Sequence, residues 1–310
     1  MKAPEISRLD FLPELSFDEI LASPILDIGA RCWESERYEA FKVCYRSMRI
    51  LDNLVDNRRA LGTPVSDNER LQFERMIEDF IAALRMKERD DPFAAQLRDV
   101  MTRFSIPMWP WQRLAKAMAF DLHHDEFASF IVFLRYCEGA AIAPASVFVH
   151  LCGVEKQGDR FVAPPYDIRQ AARYLAVFSY LVHILRDIHK DQNAGLNYFS
   201  ADLLQRSGLT AVMLREKVTT GTIDSRTRGL VAEVVQIAHH YRKKARTGLD
   251  QLCPALGERY ALSLEVIYSL YCQILERVDA GKGTFSAEEL QPSPVEIRNR
   301  LQDIARQRNT

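Results

Sequence analysis

The chain has 310 residues, 47% hydrophobic and 27% charged, with a formal net charge of −1. That balance supplies one large apolar core and excludes a protein that binds nucleic acid through an overall positive field. The six cysteines (Cys32, Cys44, Cys137, Cys152, Cys253 and Cys272) form no CxxC pair and sit mostly in apolar helical contexts. They read as buried reduced thiols in a cytoplasmic protein, not as a disulfide framework. No N-terminal signal is visible. No run approaches the ~18 uninterrupted apolar residues of a membrane span. Residues 127–154 come nearest, broken by Arg135 and Glu138.

In chain order, residues 1–15 read as a loosely docked arm, and a helix starts near Ser16 with Phe17, Ile20 and Leu21 apolar. A helix is predicted over 36–60, a break at Gly62, and a capping box at Ser66 and Glu69 opening a helix over 71–86. Helices follow over 92–104 and from Trp111 to Asp121. Residues 125–153 are mostly apolar, and Pro144 must kink or break that segment. A polar, Pro-bearing connection (155–167) leads to a helix over 168–191. Beyond a loop at 192–200, helices are predicted over 210–218, 225–247 and 263–278. A second capping box at Ser286 precedes Pro292 and a last helix, 295–306. There is no alternating strand pattern and no repeat. The expectation is an all-α single domain over 16–310.

Two of these helices carry acids on apolar ground. On the first, Tyr45, Arg49, Asp52 and Asp56 stand at spacings of 4, 3 and 4, one helical face. On the second, His183, Asp187 and Asp191 fall at i, i+4 and i+8, with Tyr180 at the edge of the stripe and Arg186 beside Asp187. Carboxylates in such greasy segments cost several kcal/mol if buried alone, so they need a cation, an ion pair or a wet cavity. Hard oxygen ligands without cysteine suit Mg²⁺, which keeps its waters and binds phosphates. Arg49, Arg186 and Tyr45 then suit the outer oxygens of a diphosphate, and the apolar lining a hydrocarbon tail. Beside two carboxylates, His183 is expected to protonate and pair with them.

The segment from Arg49 to Asp56, RILDNLVD, resembles the R-x-x-D-D-x-x-D motif of the squalene/phytoene synthase family, and Arg186 to Asp191, RDIHKD, resembles its second motif, R-D-x-x-x-D. Tyr198-Phe199-Ser200 resembles a segment just past that motif. Asp121, the stretch from Tyr136 through Gly139 and Ala140, and Tyr271 with the CQIL after it resemble the family's internal Asp, small-residue helix and late Tyr. Order and spacing agree over about 16–295. The resemblance identifies a diverged bacterial-type member. It implies the isoprenoid synthase fold, helices around a deep apolar cavity, and Mg²⁺-dependent head-to-head joining of two prenyl diphosphates (farnesyl or geranylgeranyl) through a cyclopropyl intermediate. By the same resemblance Asp52, Asp56, Asp187 and Asp191 bind Mg²⁺ and diphosphate, while Arg49, Arg186, Tyr45 and Tyr271 hold the phosphates. Gly139 and Ala140 leave room for a prenyl chain.

The chain departs from the pattern at five places, one being a late Arg expected beyond Phe285 that has no clear counterpart. Asn53 replaces the second Asp of motif one, His183 an Asn, Tyr180 a Gln, and Leu196 an Arg. These departures keep two alternatives open: a relative that ionises a prenyl diphosphate for cyclisation or another coupling, and a non-catalytic assembly or binding protein of the same fold. Retention of both Asp pairs argues against the second. No Gly-rich dinucleotide fingerprint is present. The family uses NADPH without one, so the sequence is silent on that reductant. His123-His124, His239-His240 and the basic run from Tyr241 to Arg246 read as solvated surface, with peripheral membrane contact a minor expectation for the basic run.

Overall fold

Ser66 and Glu69 close the capping box expected of them: the Ser66 N–H donates to Glu69 Oε2 at 2.9 Å, and the Glu69 N–H returns to Ser66 Oγ at 3.4 Å. The computed structural model describes residues 25–59, 61–63, 65–85, 91–124 and 126–309, so the expected N-terminal arm and the helix near Ser16 lie outside the described residues. The chain opens with α1 (Ile25–Ala30), α2 (Ser35–Arg59), α3 (Asp67–Arg85), α4 (Pro92–Arg103) and α5 (Trp109–His123). There follow α6 (Phe130–Cys137), a π-helical turn (Glu138–Ile142) and α7 (Ala143–Gly153). Past a hairpin come α8 (Ile168–Arg186), α9 (Ile188–Asn193), α10 (Ala201–Arg206), α11 (Ala211–Thr219) and α12 (Ser225–Leu252). The chain ends with α13 (Glu258–Glu276), α14 (Ala287–Leu290) and α15 (Pro294–Asn309). The all-α class stands.

At the centre is α8. Asp167 caps it, its carboxylate accepting from the N–H groups of Arg169 and Gln170 at 2.9 and 3.1 Å. One side packs along α12, and the others meet α7, the π turn and α13. Ala172, Phe178, Leu181, Val182 and Leu185 are almost wholly enclosed.

Pro144 does not end the apolar segment. The helix widens by a π turn just before it and resumes at Ala143, which leaves Pro144 in the first turn of α7, where a missing N–H costs least. Phe130–Gly153 is long and apolar enough to cross a membrane by length and composition. Here it packs between α5 and α8 as a core helix. Its C-terminal carbonyls are gathered by buried Arg37, which reaches Leu151 O, Cys152 O and Val154 O and so ties α2 to α7.

Two local features escaped the sequence pattern. The polar connection forms a hairpin, β1 (Glu155–Gln157) against β2 (Arg160–Val162), turning at Gly158 with φ +61°. Strands of three residues are too short to show alternation, and only Phe161 is buried, stacked on Phe104 at 4.2 Å. Between the loop expected at 192–200 and the helix expected from 210, Ala201–Arg206 is a helical turn and a half. Among the described residues no cysteine is in a disulfide, and Cys253 alone is half-exposed, as the reduced-thiol reading expects.

Gly139 requires correction. It does not line the cavity described below. It faces α5, where a Cβ would stand 2.3 Å from Arg113 O and 2.7 Å from Ala117 Cβ. Its smallness brings two backbones together and makes no room for a ligand. Gly139→Ala is therefore expected to cost about 1–3 kcal/mol in urea unfolding by forcing α5 from the π turn.

Candidate active site

The two acidic faces open on one cavity of about 830 Å³. From α2 it receives Tyr45, Arg49, Asp52, Asn53 and Asp56; from α8 and α9, Tyr180, His183, Arg186, Asp187 and Asp191. Tyr271 enters from α13. Ala140, Ala141, Pro144 and Ala145 wall it on the side of α7, and Leu175, Ala176, Leu264, Ile267 and Leu270 continue the apolar lining. Every site residue expected from sequence, Gly139 excepted, lines this space.

The second motif is not one helix. The chain breaks at Asp187, with φ −96° and ψ 10°, so α8 ends at Arg186 and α9 begins at Ile188. Asp191 N–H still reaches Asp187 O at 2.8 Å, which keeps the two acids one turn apart across the break. Asp187 is clamped. Arg186 Nε donates to its Oδ1 at 2.6 Å and Nη2 to its Oδ2 at 2.9 Å, while His183 Nε2 lies 3.0 Å from Oδ2. Burial works to raise this carboxyl, yet the bonds from Arg186 and His183 override it and hold the group far below the usual carboxylate range.

His183 pairs with Asp187 as anticipated, and its Nδ1 stands 3.2 Å from Arg186 Nη2, so the ring sits between guanidinium and carboxylate.

On α2, Arg49 ion-pairs with Asp52 through Nη1 and donates from Nη2 to Asn53 Oδ1 at 2.8 Å. Burial nevertheless raises Asp52, outweighing Arg49. Asp56 and Asp191 have no such clamp. Burial, then repulsion from Asp52, pushes Asp56 up to about 6; burial, then repulsion from Asp187, pushes Asp191 up to about 7. Asp191 also feels Asp56, so the two motifs share one field across the cavity.

A buried network behind α2 was only half legible. Asp121 accepts from the Tyr136 hydroxyl at 2.7 Å and pairs with Arg59 at 3.3 Å. Burial raises Asp121 to about 7, against the pull of Arg59. Tyr136, Tyr180 and Tyr198 form an aromatic wall, with Tyr180 ring centroids 6.4 Å from Tyr136 and 6.1 Å from Tyr198. Arg59 gave no signal, because its partner is more than sixty positions away and shares no helix with it. The basic run of α12 is surface: Arg246 pairs with Glu265 and Asp250, and Lys244 lies over the Tyr174 ring.

Helices around one apolar cavity, with arginine-flanked acid pairs at its mouth, are the architecture of the all-α isoprenoid synthases. The fold matches a solved dehydrosqualene synthase with a TM-score of 0.70 over 94% of this chain and 95% of that one, at 17% identity. It matches squalene synthase HpnC from Alicyclobacillus acidocaldarius with a TM-score of 0.54 over 90% and 98%, at 16% identity. In sequence, a chloroplastic phytoene synthase of Narcissus pseudonarcissus is 26% identical over 82% of this chain and 56% of its own length. A 15-cis-phytoene synthase of Synechococcus elongatus is 24% identical over 73% and 71%. The chain spans less than two thirds of the first plant relatives it matches. The squalene/phytoene synthase family profile matches residues 29–299. The chain belongs to the squalene/phytoene synthase family.

Proposed function

We propose that the protein is a Mg²⁺-dependent prenyltransferase that joins two prenyl diphosphates head-to-head into a squalene- or phytoene-like product. One observation carries this reading: two carboxylate-and-arginine faces, from α2 and from α8–α9, meet at the mouth of a single apolar cavity. Among the described residues no three His, Cys, Asp or Glu side chains converge as a ready-made ligand cluster. The donors fit Mg²⁺ in another way. Asp56 and Asp191 are half-buried acids raised first by burial and then by like-charge neighbours, a deficit that a divalent cation held with ligand oxygens offsets. Asp52, Asp56, Asp187 and Asp191 would hold the metal, which when bound neutralises the charge gathering on a departing diphosphate.

The remaining roles follow from side chains. Arg49 and Arg186, now spent on carboxylates of their own motifs, are placed to turn to phosphate oxygens as the acids take up metal. Tyr271, half-buried and raised by burial to about 12, stays a phenol and donates from the α13 side. The apolar walls exclude water from an allylic cation, and the faces of Tyr136, Tyr180 and Tyr198 can stabilise it. The reading also places the protein in the cytoplasm, where contact with a membrane would receive its oily product.

Incubation with farnesyl or geranylgeranyl diphosphate and Mg²⁺, with and without NADPH, followed by lipid extraction, tests this. A coupled C30 or C40 lipid is expected. Release of a prenyl alcohol or a cyclised single chain instead would establish the diverged reading.

A further inference from the structure

The cavity mouth holds a cation that neither motif accounts for. Lys190 lies on α9 between Asp187 and Asp191, lines the cavity and is solvent-exposed. Arg49 is committed to Asp52 and Asn53, and Arg186 to Asp187 and His183. His189, its neighbour, is tied to Thr284 O at 2.9 Å. The loop beyond brings no charge, because Leu196 is buried with its N–H on Asp191 O at 2.8 Å, and Gln192 Nε2 holds Leu196 O at 3.1 Å. Among the described residues, the Lys190 side chain has no hydrogen-bond or ion-pair partner. It lines the same cavity as Asp52 and Asp56 of α2 and Asp191 of α9, which sets it beside both acid faces.

From this placement we propose that Lys190 is a further anchor for the diphosphate group of the ligand. An ammonium on a flexible four-carbon stem serves as a movable point charge for phosphate and needs no fixed fork geometry. The ligand it fits carries several negative charges, since it must compete with carboxylates for the same ammonium; a diphosphate does so better than a monophosphate. This inference rests on the proposed function and adds a residue to it.

Calorimetric titration of inorganic diphosphate into the full chain separates the two. With Mg²⁺ present, Lys190→Ala is expected to weaken diphosphate binding about ten- to hundredfold, and Lys190→Arg to restore most of it. Mg²⁺ affinity without diphosphate should hold or rise in Lys190→Ala, because a competing positive charge has left the acids. The melting temperature should not move, since the side chain is exposed and unpaired. Diphosphate affinity equal to wild type in Lys190→Ala would overturn the inference and leave the proposed function standing. Loss of affinity that tracks a lowered melting temperature or a lost Mg²⁺ affinity would also overturn it. Failure of the wild-type chain to bind diphosphate with Mg²⁺ would remove the proposed function and this inference together.

Discussion

Asp56→Ala and Asp191→Ala are each expected to lower Mg²⁺-dependent turnover by at least about a hundredfold, while making the metal-free protein more stable at pH 8. The two effects have one cause. Asp56 and Asp191 titrate in the folded chain at about 6 and about 7, raised first by burial and then by Asp52 and Asp187 respectively. An unfolded aspartate titrates near ~3.9. A group whose folded pKa is raised contributes stability that is fully present below the unfolded value and is lost as pH rises through the folded value. Between about pH 4 and 7 the metal-free protein should therefore become less stable, by on the order of 1–2 kcal/mol for each acid. Removing either acid abolishes its part of that loss. Thermal melts of the metal-free variants across pH 4 to 8 check this. A wild-type stability that rises through the same window, with both variants less stable at pH 8, would show that the acids are satisfied by protein partners.

The two motif arginines look equivalent in sequence and are not equivalent in structure. Arg186 and Asp187 side chains are 23% and 13% exposed and meet through two bonds, with His183 as a third member. Arg49 and Asp52 are 49% and 28% exposed, joined through one guanidinium nitrogen, with Asn53 taking the other. Arg186→Met leaves a mostly buried carboxylate without its main partner and is expected to cost about 2–3 kcal/mol in urea unfolding. Arg49→Met should cost less than about 1 kcal/mol, as exposed pairs do. Both variants should lose ligand affinity. Equal stability losses would mean that the Arg186 clamp contributes no more than a surface pair.

The acid faces were legible because helical pitch alone sets i, i+4 neighbours on one side, and the apolar residues between them showed that this side is half-buried. The break at Asp187 was not legible, since four-residue spacing survives it through the Asp191 to Asp187 backbone bond. Gly139 misled for a related reason. A small residue in an apolar helix leaves room either for a ligand or for another helix, and only the position of Arg113 O decides between them. The pairing of Arg59 with Asp121 joins segments that come together only in the folded core. Lys190 stood inside the second motif from the start. What the sequence concealed is that the arginines beside it are already occupied.

The central claim is that both acid faces act on one ligand through shared metal. Calorimetric titration of farnesyl thiodiphosphate at pH 6.5, in buffers of different ionisation enthalpy and with and without Mg²⁺, tests it most directly. Asp56 and Asp191 are partly protonated there and must release protons to accept a cation. The expected result is binding at least about tenfold tighter with Mg²⁺, accompanied by proton release that disappears in the Asp56→Ala, Asp191→Ala double variant. Binding of equal strength without Mg²⁺, and with no proton release, would contradict the account.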